Sequence, residues 1–174
     1  MKKTNINIIK TKLSYIIEVP KIKDEGILCF MEGLNHVPFP IKRVYFIYDV
    51  IKNAVRGKHA HKKTKQVIFC VNGSITIILD NGRAKEEITL DNPNQGLFLD
   101  AMMWHEMVDF QNNTILLVIA SENFNETDYI RNYPEFLGYS NKNKQTQTIE
   151  QIRSYFNILN SQVTSLVTKL NILL

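Results

Sequence analysis

Two of the four histidines in this chain, His59 and His61, lie one residue apart in the segment 56–61 (RGKHAH). The flanking stretches have the composition of β-strands, and residues i and i+2 of a strand project from the same face. Both imidazoles could therefore address adjacent atoms of one ligand. An imidazole titrates near pH ~6.5, so the pair suits proton transfer, with metal binding as a second possibility. The alternative is a surface loop with incidental histidines among lysines.

A third histidine, His105, follows an apolar run and the only tryptophan, Trp104, at a distance where a second strand pair can bring it beside the first two. With Gln66, the three rings offer three nitrogens and one oxygen, similar to metal-dependent cupins. Cupin metal sites normally have a glutamate five residues after the second histidine, and the neutral amide of Gln66 is a weaker ligand. We therefore favour metal-free acid–base chemistry.

Composition favours a single domain with an appendage. The chain has 174 residues, 44% of them hydrophobic and 22% charged, which is enough for one core. A net charge of +4 without a dense basic face argues against nucleic acid. No secretory signal and no window apolar enough for a bilayer occur, so we expect a cytoplasmic protein without a membrane partner. Cys29 and Cys70, far apart, are expected to be buried thiols.

Residues 43–121 carry a β pattern throughout. Short runs rich in Val, Ile, Phe and Tyr alternate with turn residues. The clearest hairpin joins 74–79 to 84–90 through a turn at Asn81-Gly82, a pair typical of tight turns with positive φ. The sequence therefore predicts an all-β barrel or sandwich.

The C-terminal region predicts a helix after a linker. Residues 141–148 are polar, and the apolar residues that follow are spaced by three and four in a heptad pattern. These residues are Ile149, Ile152, Phe156, Leu159, Val163, Leu166, Leu170 and Leu173. Thr148 and Gln151 form a plausible capping box. Such an amphipathic helix serves oligomerisation or packs on its own barrel, and the sequence leaves both open.

Several stretches together resemble the sugar 3,4-ketoisomerases, which are small cupins acting on dTDP-4-keto-6-deoxyglucose. The match runs in order from about Gly26 to Leu137, and the stretches that carry it are 38–49 (PFPIKRVYFIYD), 56–62 (RGKHAHK), 96–98 (GLF), 104–107 (WHEM), 120–121 (AS) and 127–131 (TDYIR). The resemblance implies a cupin jelly-roll β-barrel over residues 13–140. It leaves an N-terminal extension (1–12) and the linker with its C-terminal helix (141–174) outside.

The resemblance also implies an activity. A base removes the proton at C3 of dTDP-4-keto-6-deoxy-D-glucose, and the enediol is reprotonated at C4 to give a dTDP-3-keto-6-deoxyhexose for deoxysugar biosynthesis. The catalytic residues implied are His59, His61 and Tyr45. The substrate-binding residues expected are Arg43 and Arg56 at the diphosphate, with Gln66, His105 and Trp104 around the sugar or nucleotide. We expect no cofactor and no metal.

Family members are intertwined dimers that exchange N-terminal strands, so the resemblance implies a homodimer, with a possible coiled-coil contact through the C-terminal helix. Two other functions stay open: a cupin similar to the dTDP-sugar 3,5-epimerases, and a noncatalytic module that binds sugar nucleotides. The sequence does not distinguish the galacto from the gluco product, nor which histidine serves C3 and which serves C4.

Overall fold

The computed structural model of the protein describes the backbone of residues 7–111 and 113–172, and their side chains except those of 143–145, 147 and 166–172. The strands in this part of the chain are β1 (Asn7–Lys10), β2 (Tyr15–Glu18), β3 (Lys21–Lys23), β4 (Ile27–Cys29), β5 (Arg43–Ile47), β6 (Arg56–His61), β7 (Gln66–Asn72), β8 (Ile75–Asp80), β9 (Lys85–Leu90), β10 (Gln95–Leu99), β11 (Trp104–Val108), β12 (Ile115–Ala120) and β13 (Tyr129–Ile130). A 3₁₀ turn spans Glu126–Asp128, and the helix α1 spans Tyr133–Ile172.

Two antiparallel sheets form the body of the fold. The first has the strand order β1-β2-β10-β7-β12-β5, the second has the order β13-β6-β11-β8-β9, and β3 and β4 form a separate hairpin. Neighbouring strands are often distant in sequence, as in a jelly roll. The predicted all-β cupin fold is confirmed. Among the described residues no strand pairing closes the two large sheets into a continuous barrel.

The core lies between these sheets. Ile75, Ile77 and Leu79 on β8 are fully buried, whereas the residues between them are partly exposed, as the period of two in a strand requires. They pack against Ile68 of β7 and Val118 of β12 in one hydrophobic cluster. This packing fixes the register of both sheets, because a slip of one residue would turn the apolar set outwards.

The predicted hairpin is present, with a longer turn. β8 and β9 pair from Ile75 with Leu90 to Asp80 with Lys85, which leaves four residues in the loop. Within that loop only Gly82 has a positive φ, of 82°. The loop therefore differs from a two-residue primed turn, in which both central residues need positive φ.

The predicted polar linker at 141–148 is wrong, because α1 runs through it. The helix begins at Tyr133, where Asn132 Oδ1 accepts a hydrogen bond from the backbone N–H of Glu135 at 2.9 Å and caps the first turn. Residues 141–148 contain neither proline nor glycine, so nothing in them interrupts a helix.

The chain divides into two compact units, Met1–Phe136 and Leu137–Leu174. In the second unit, the predicted heptad residues from Ile149 to Val163 are 50–61% exposed. Leu166, Leu170 and Leu173 lie outside the described side chains. Within the described residues, no helix combines the length and apolar character needed to cross a bilayer. The cytoplasmic location stays a prediction.

The predicted N-terminal extension is partly a strand of the larger sheet. Residues 7–10 form β1, which pairs with β2 from Asn7 opposite Glu18 to Lys10 opposite Tyr15. Residues 1–6 of the extension lie outside the described part of the chain.

Candidate functional site

Three histidines meet on the inner side of the second sheet. His59 and His61 project from the same face of β6, and His105 lies opposite His59 on the neighbouring strand β11. The ring centroids of His59 and His105 are 4.5 Å apart, and those of His59 and His61 are 5.0 Å apart. The structure therefore brings together the three histidines that the sequence predicted to converge.

An irregularity at the start of β6 positions His59. Gly57 has a φ of +80°, and the pairing of β6 with β11 shifts register between His105 and Glu106. This conformation turns the carbonyl of Gly57 towards His59, whose Nδ1–H donates to it at 2.9 Å. A Cβ at position 57 would lie 2.8 Å from the His105 carbonyl oxygen, so a side chain does not fit there. With Nδ1 protonated, Nε2 of His59 carries a lone pair.

Asp128, in the 3₁₀ turn, fixes the second imidazole. Its Oδ2 accepts from Nδ1 of His61 at 3.0 Å and from the Thr64 hydroxyl at 2.5 Å, while Oδ1 accepts from the Lys63 N–H at 2.8 Å. A carboxylate only accepts, so His61 holds its proton on Nδ1 and carries a lone pair on its buried Nε2. Burial favours the neutral carboxyl, but the hydrogen bonds from Thr64, Lys63 and His61 outweigh it and lower the pKa of Asp128.

Burial keeps the imidazoles neutral. It lowers the pKa of His59 to about 4, and it lowers the pKa of His61 despite the opposing effect of Asp128. His105 is completely enclosed, and its pKa lies well below the usual value for the same reason. A neutral imidazole with a free Nε2 accepts protons, so His59 and His61 are suited to act as bases near pH 7.

A phenol faces this group from the other sheet. Tyr45 of β5 accepts a hydrogen bond at 2.9 Å from Nε2 of Gln66, the first residue of β7. Burial raises the pKa of Tyr45 to about 12, so its hydroxyl keeps its proton at neutral pH. The site therefore combines proton acceptors with a proton donor.

His59, His105 and Tyr45 line a cavity of about 440 Å³ between β5, β6 and β11, whereas His61 and Gln66 lie next to these side chains and are not among its lining residues. It is lined by Arg43, Tyr45, Phe46, Ile47, Arg56, Gly57, His59, His105, Met107, Phe124, Tyr129 and Arg131. Arg43 and Arg56 give it a positive charge that suits an anionic ligand, whereas Arg131 is paired with Glu126 at 2.8 Å. Arg43 lies 5.2 Å from the centroid of the Tyr45 ring, and Arg131 lies 4.3 Å from that of Tyr129.

Several buried polar atoms at this site lack a hydrogen-bond partner in the described part of the chain: Nε of Arg43, Nε2 of His61 and Oε1 of Gln66. Only one other buried atom there shares this condition, Oδ1 of Asn94. Buried polar groups are rarely left unpaired, so their concentration here indicates a site that a ligand completes.

Trp104 is not at the cavity, which corrects its predicted role in substrate binding. Neighbouring residues of a strand face opposite sides, so Trp104 points away from the face that carries His105. Its ring packs against Tyr133 and Phe136, and its Nε1–H donates to Glu106.

Residues near the end of the first unit were missed as site residues. Phe124, Tyr129 and Arg131 line the cavity, and Asp128 binds His61. β13 carries them next to β6, since Tyr129 pairs with His61. The many aromatic and charged residues at 122–133 could have suggested a functional segment. The local sequence does not show that this segment pairs with β6.

Within the described residues, no group of three or more His, Cys, Asp and Glu side chains has a geometry that could hold a metal ion. Gln66, at the position of the usual cupin ligand, directs its amide N–H to Tyr45.

Comparisons with known proteins match most of the chain to one family and to several related proteins. Residues 12–141 match the family described as FdtA: WxcM-like, C-terminal. A TDP-4-oxo-6-deoxy-alpha-D-glucose-3,4-oxoisomerase from Aneurinibacillus thermoaerophilus is 47% identical over 125 residues, which are 71% of this chain and 90% of that protein.

Two crystal structures are similar in fold and sequence. A 3,4-ketoisomerase from Helicobacter canadensis is 44% identical, covers 72% of this chain and 96% of its own, and has a TM-score of 0.71. QdtA, a sugar 3,4-ketoisomerase from Thermoanaerobacterium thermosaccharolyticum in complex with TDP, is 41% identical, with coverages of 77% and 98% and a TM-score of 0.74. The family match ends at residue 141, so most of α1 lies outside it.

Proposed function

This chain belongs to the FdtA: WxcM-like, C-terminal family and is a sugar-nucleotide 3,4-ketoisomerase, for which we propose dTDP-4-keto-6-deoxy-D-glucose as substrate and a dTDP-3-keto-6-deoxyhexose as product. The observation that carries this proposal is the pair of neutral imidazoles, His59 on the wall of an arginine-lined cavity and His61 next to it, each holding its proton on Nδ1 and a lone pair on Nε2. The name of the relative at 47% identity supports the same substrate.

The proposed reaction moves one proton between carbons and one between oxygens. The C3 proton is acidic because C3 lies next to the C4 ketone, and one imidazole removes it while O4 gains a proton to form the 3,4-enediol. Loss of the O3 proton and protonation of C4 then leave the ketone at C3. We assign the carbon proton transfers to His59 and His61 and a hydrogen bond with a sugar oxygen to Tyr45.

The remaining cavity residues suit the rest of the substrate. We assign the diphosphate to Arg43 and Arg56, because a guanidinium offers paired donors to phosphate oxygens and the Nε of Arg43 has no partner among the described residues. Arg131 lines the same cavity and adds a third guanidinium. His105 forms part of the wall behind His59.

We also propose that the protein is a homodimer. β5 pairs on one side with β12, has no second partner among the described strands, and leaves Val44 and Phe46 51% and 60% exposed. An open, apolar strand edge is unusual in a protein that stays monomeric. α1 offers a second contact, a parallel coiled coil between two copies, because its heptad residues are half exposed.

The decisive experiment is proton NMR of the EDTA-treated protein with dTDP-4-keto-6-deoxyglucose in deuterated buffer. We expect a 3-keto sugar with deuterium at C4, and the coupling between the C4 and C5 protons of product formed in ordinary water then distinguishes the galacto from the gluco product. Exchange at C3 and C5 without migration of the ketone would instead indicate a 3,5-epimerase. Binding of dTDP without any exchange would indicate a noncatalytic module.

The same assay tests the role of His61. We expect His61→Asn to abolish turnover and to preserve dTDP binding, because it removes the base and leaves the arginines in place. Normal turnover by this variant would exclude His61 from the reaction.

A further inference from the structure

We propose that Gln66 is a positioning residue that makes the Tyr45 hydroxyl an obligatory hydrogen-bond donor to the oxygen on C4 of the substrate. This inference rests on the proposed function and assigns Gln66 a task in it. Gln66 does not line the cavity, so it acts through Tyr45.

The two side chains meet across one strand. β12 pairs with both β5 and β7, with Ala120 opposite Arg43 on one side and opposite Gln66 on the other. Gln66 reaches from β7 across β12 towards Tyr45 and is 1% exposed, so its amide has little freedom to seek another partner. Its Nε2 donates to the phenol oxygen at 2.9 Å.

This contact decides the direction of the phenol proton. A hydroxyl has one proton, and an oxygen that accepts from Gln66 has to donate that proton elsewhere. Tyr45 lines the cavity, and its proton is therefore available to a ligand there. The raised pKa of Tyr45, about 12, agrees with a phenol that stays protonated.

The reaction needs such a donor. When a base takes the C3 proton, negative charge develops on O4, and a donor already in place stabilises that charge. The imidazoles supply acceptors: the hydrogen bonds to Gly57 and Asp128 hold their protons on Nδ1. Gln66 makes Tyr45 a hydrogen-bond donor. The imidazoles can then accept the C3 proton while the Tyr45 hydroxyl donates to O4.

The chemistry at position 66 requires an amide rather than a carboxylate. A glutamate there would accept the proton of Tyr45 and remove the donor from the cavity, although its shape is almost that of glutamine. Leucine would leave the phenol free to donate but would lose its orientation. Gln66→Glu therefore tests the direction of the hydrogen bond to Tyr45, and Gln66→Leu tests the loss of that hydrogen bond alone.

The test compares Gln66→Glu and Gln66→Leu by kcat and KM at pH 8, with dTDP affinity and the melting temperature as checks. We expect Gln66→Glu to lower kcat about 100-fold or more and to recover activity as the pH falls and the carboxyl becomes protonated. Gln66→Leu should lower kcat only about tenfold, without a new titration. Gln111→Glu, at an exposed position, controls for the added charge.

A loss with Gln66→Leu that equals or exceeds the loss with Gln66→Glu would overturn the proposal. If the glutamate variant does not fold, Gln66→Leu is combined with Tyr45→Phe: we expect no further loss of kcat in the Tyr45→Phe background, and an additive loss would overturn the proposal. The wild-type protein separates this result from the proposed function, since a failure of that function appears as absent turnover before any substitution is made.

Discussion

At the residue scale, burial of the imidazoles predicts the pH dependence of the reaction. The pKa of His59 is lowered to about 4 and that of His61 is also lowered, so both rings are deprotonated at pH 7 and in the form that the proposed base requires. Activity should therefore persist below pH 6.5 and fall only as the pH approaches these lowered values. The check is kcat/KM of the free enzyme between pH 4 and 9. An acidic limb centred above about 6.5 would contradict neutralisation by burial.

Asp128 provides a second prediction at this scale. Asp128→Asn places an NH₂ group where either His61 Nδ1–H or the Lys63 N–H needs an acceptor, so we expect His61 to change tautomer and kcat to fall about 100-fold or more. Nitrogen NMR of the imidazole reports the tautomer directly. Thr64→Val is the matched control, because it removes a hydroxyl that binds Asp128 and leaves the carboxylate. Equal losses in both variants would indicate a merely structural network.

The sequence predicted the convergence of the three histidines better than the residues that support them. His59 and His61 share a face of β6 because of the period of two in a strand, and the pairing of β6 with β11 places His105 opposite His59. Asp128 contacts His61 only because the chain returns beside β6 after β12, which no local pattern reveals. The position of Trp104 could have been inferred from strand alternation, because it precedes His105 on β11 and its ring packs on the other side, against Tyr133 and Phe136.

At the element scale, two glycines predict opposite effects of the same substitution. A Cβ at Gly96, on β10, would lie 2.7 Å from Cγ1 of Val67 and against the ring of Phe69, so Gly96→Ala should destabilise the protein by about 1–3 kcal/mol. A Cβ at Gly138, inside α1, would meet no atom within 4 Å beyond the adjacent helix backbone, and Gly138→Ala should stabilise the helix by about 0.5–1 kcal/mol. Thermal melting measures both. A neutral effect at Gly96 would mean that β10 and β7 can separate.

The elements themselves were predicted where a local signal exists. The hairpin of β8 and β9 follows from alternation and the glycine between them. The start of α1 did not follow, because the polar residues 141–148 suit a linker and a solvated helix equally, and Asn132 was not recognised as the cap. The pairing of β2 with β10 links segments about 80 residues apart and is set by burial rather than by any sequence signal.

At the scale of the whole molecule, most of α1 lies outside the part of the chain that matches the family. The oxoisomerase relative is matched over 90% of its length and QdtA over 98%, but these matches cover only 71% and 77% of this chain. The family match ends at residue 141, so the exposed heptad residues of α1 lie beyond it.

The heptad residues of α1 fall into two core positions. Ile149, Phe156 and Val163 occupy the first core position of the heptad, and Ile152 and Leu159 occupy the second. Ile149 and Val163 at the first position and Leu159 at the second follow the preference of parallel two-stranded coiled coils, from which Phe156 and Ile152 depart.

A parallel, in-register pair of helices predicts which positions of two copies meet. Leu159→Cys, at a core position, should form a disulfide between chains under mild oxidation, because core Cα atoms of such a pair approach within bonding distance. Ser161→Cys, two residues along and on the outer face, should remain reduced. Non-reducing electrophoresis of the full-length variants, with the unmodified protein to account for Cys29 and Cys70, measures the difference. Equal cross-linking at both positions, or at neither, would contradict the coiled coil. Light scattering at micromolar concentration tests the dimer separately, since β5 could hold two copies together without α1.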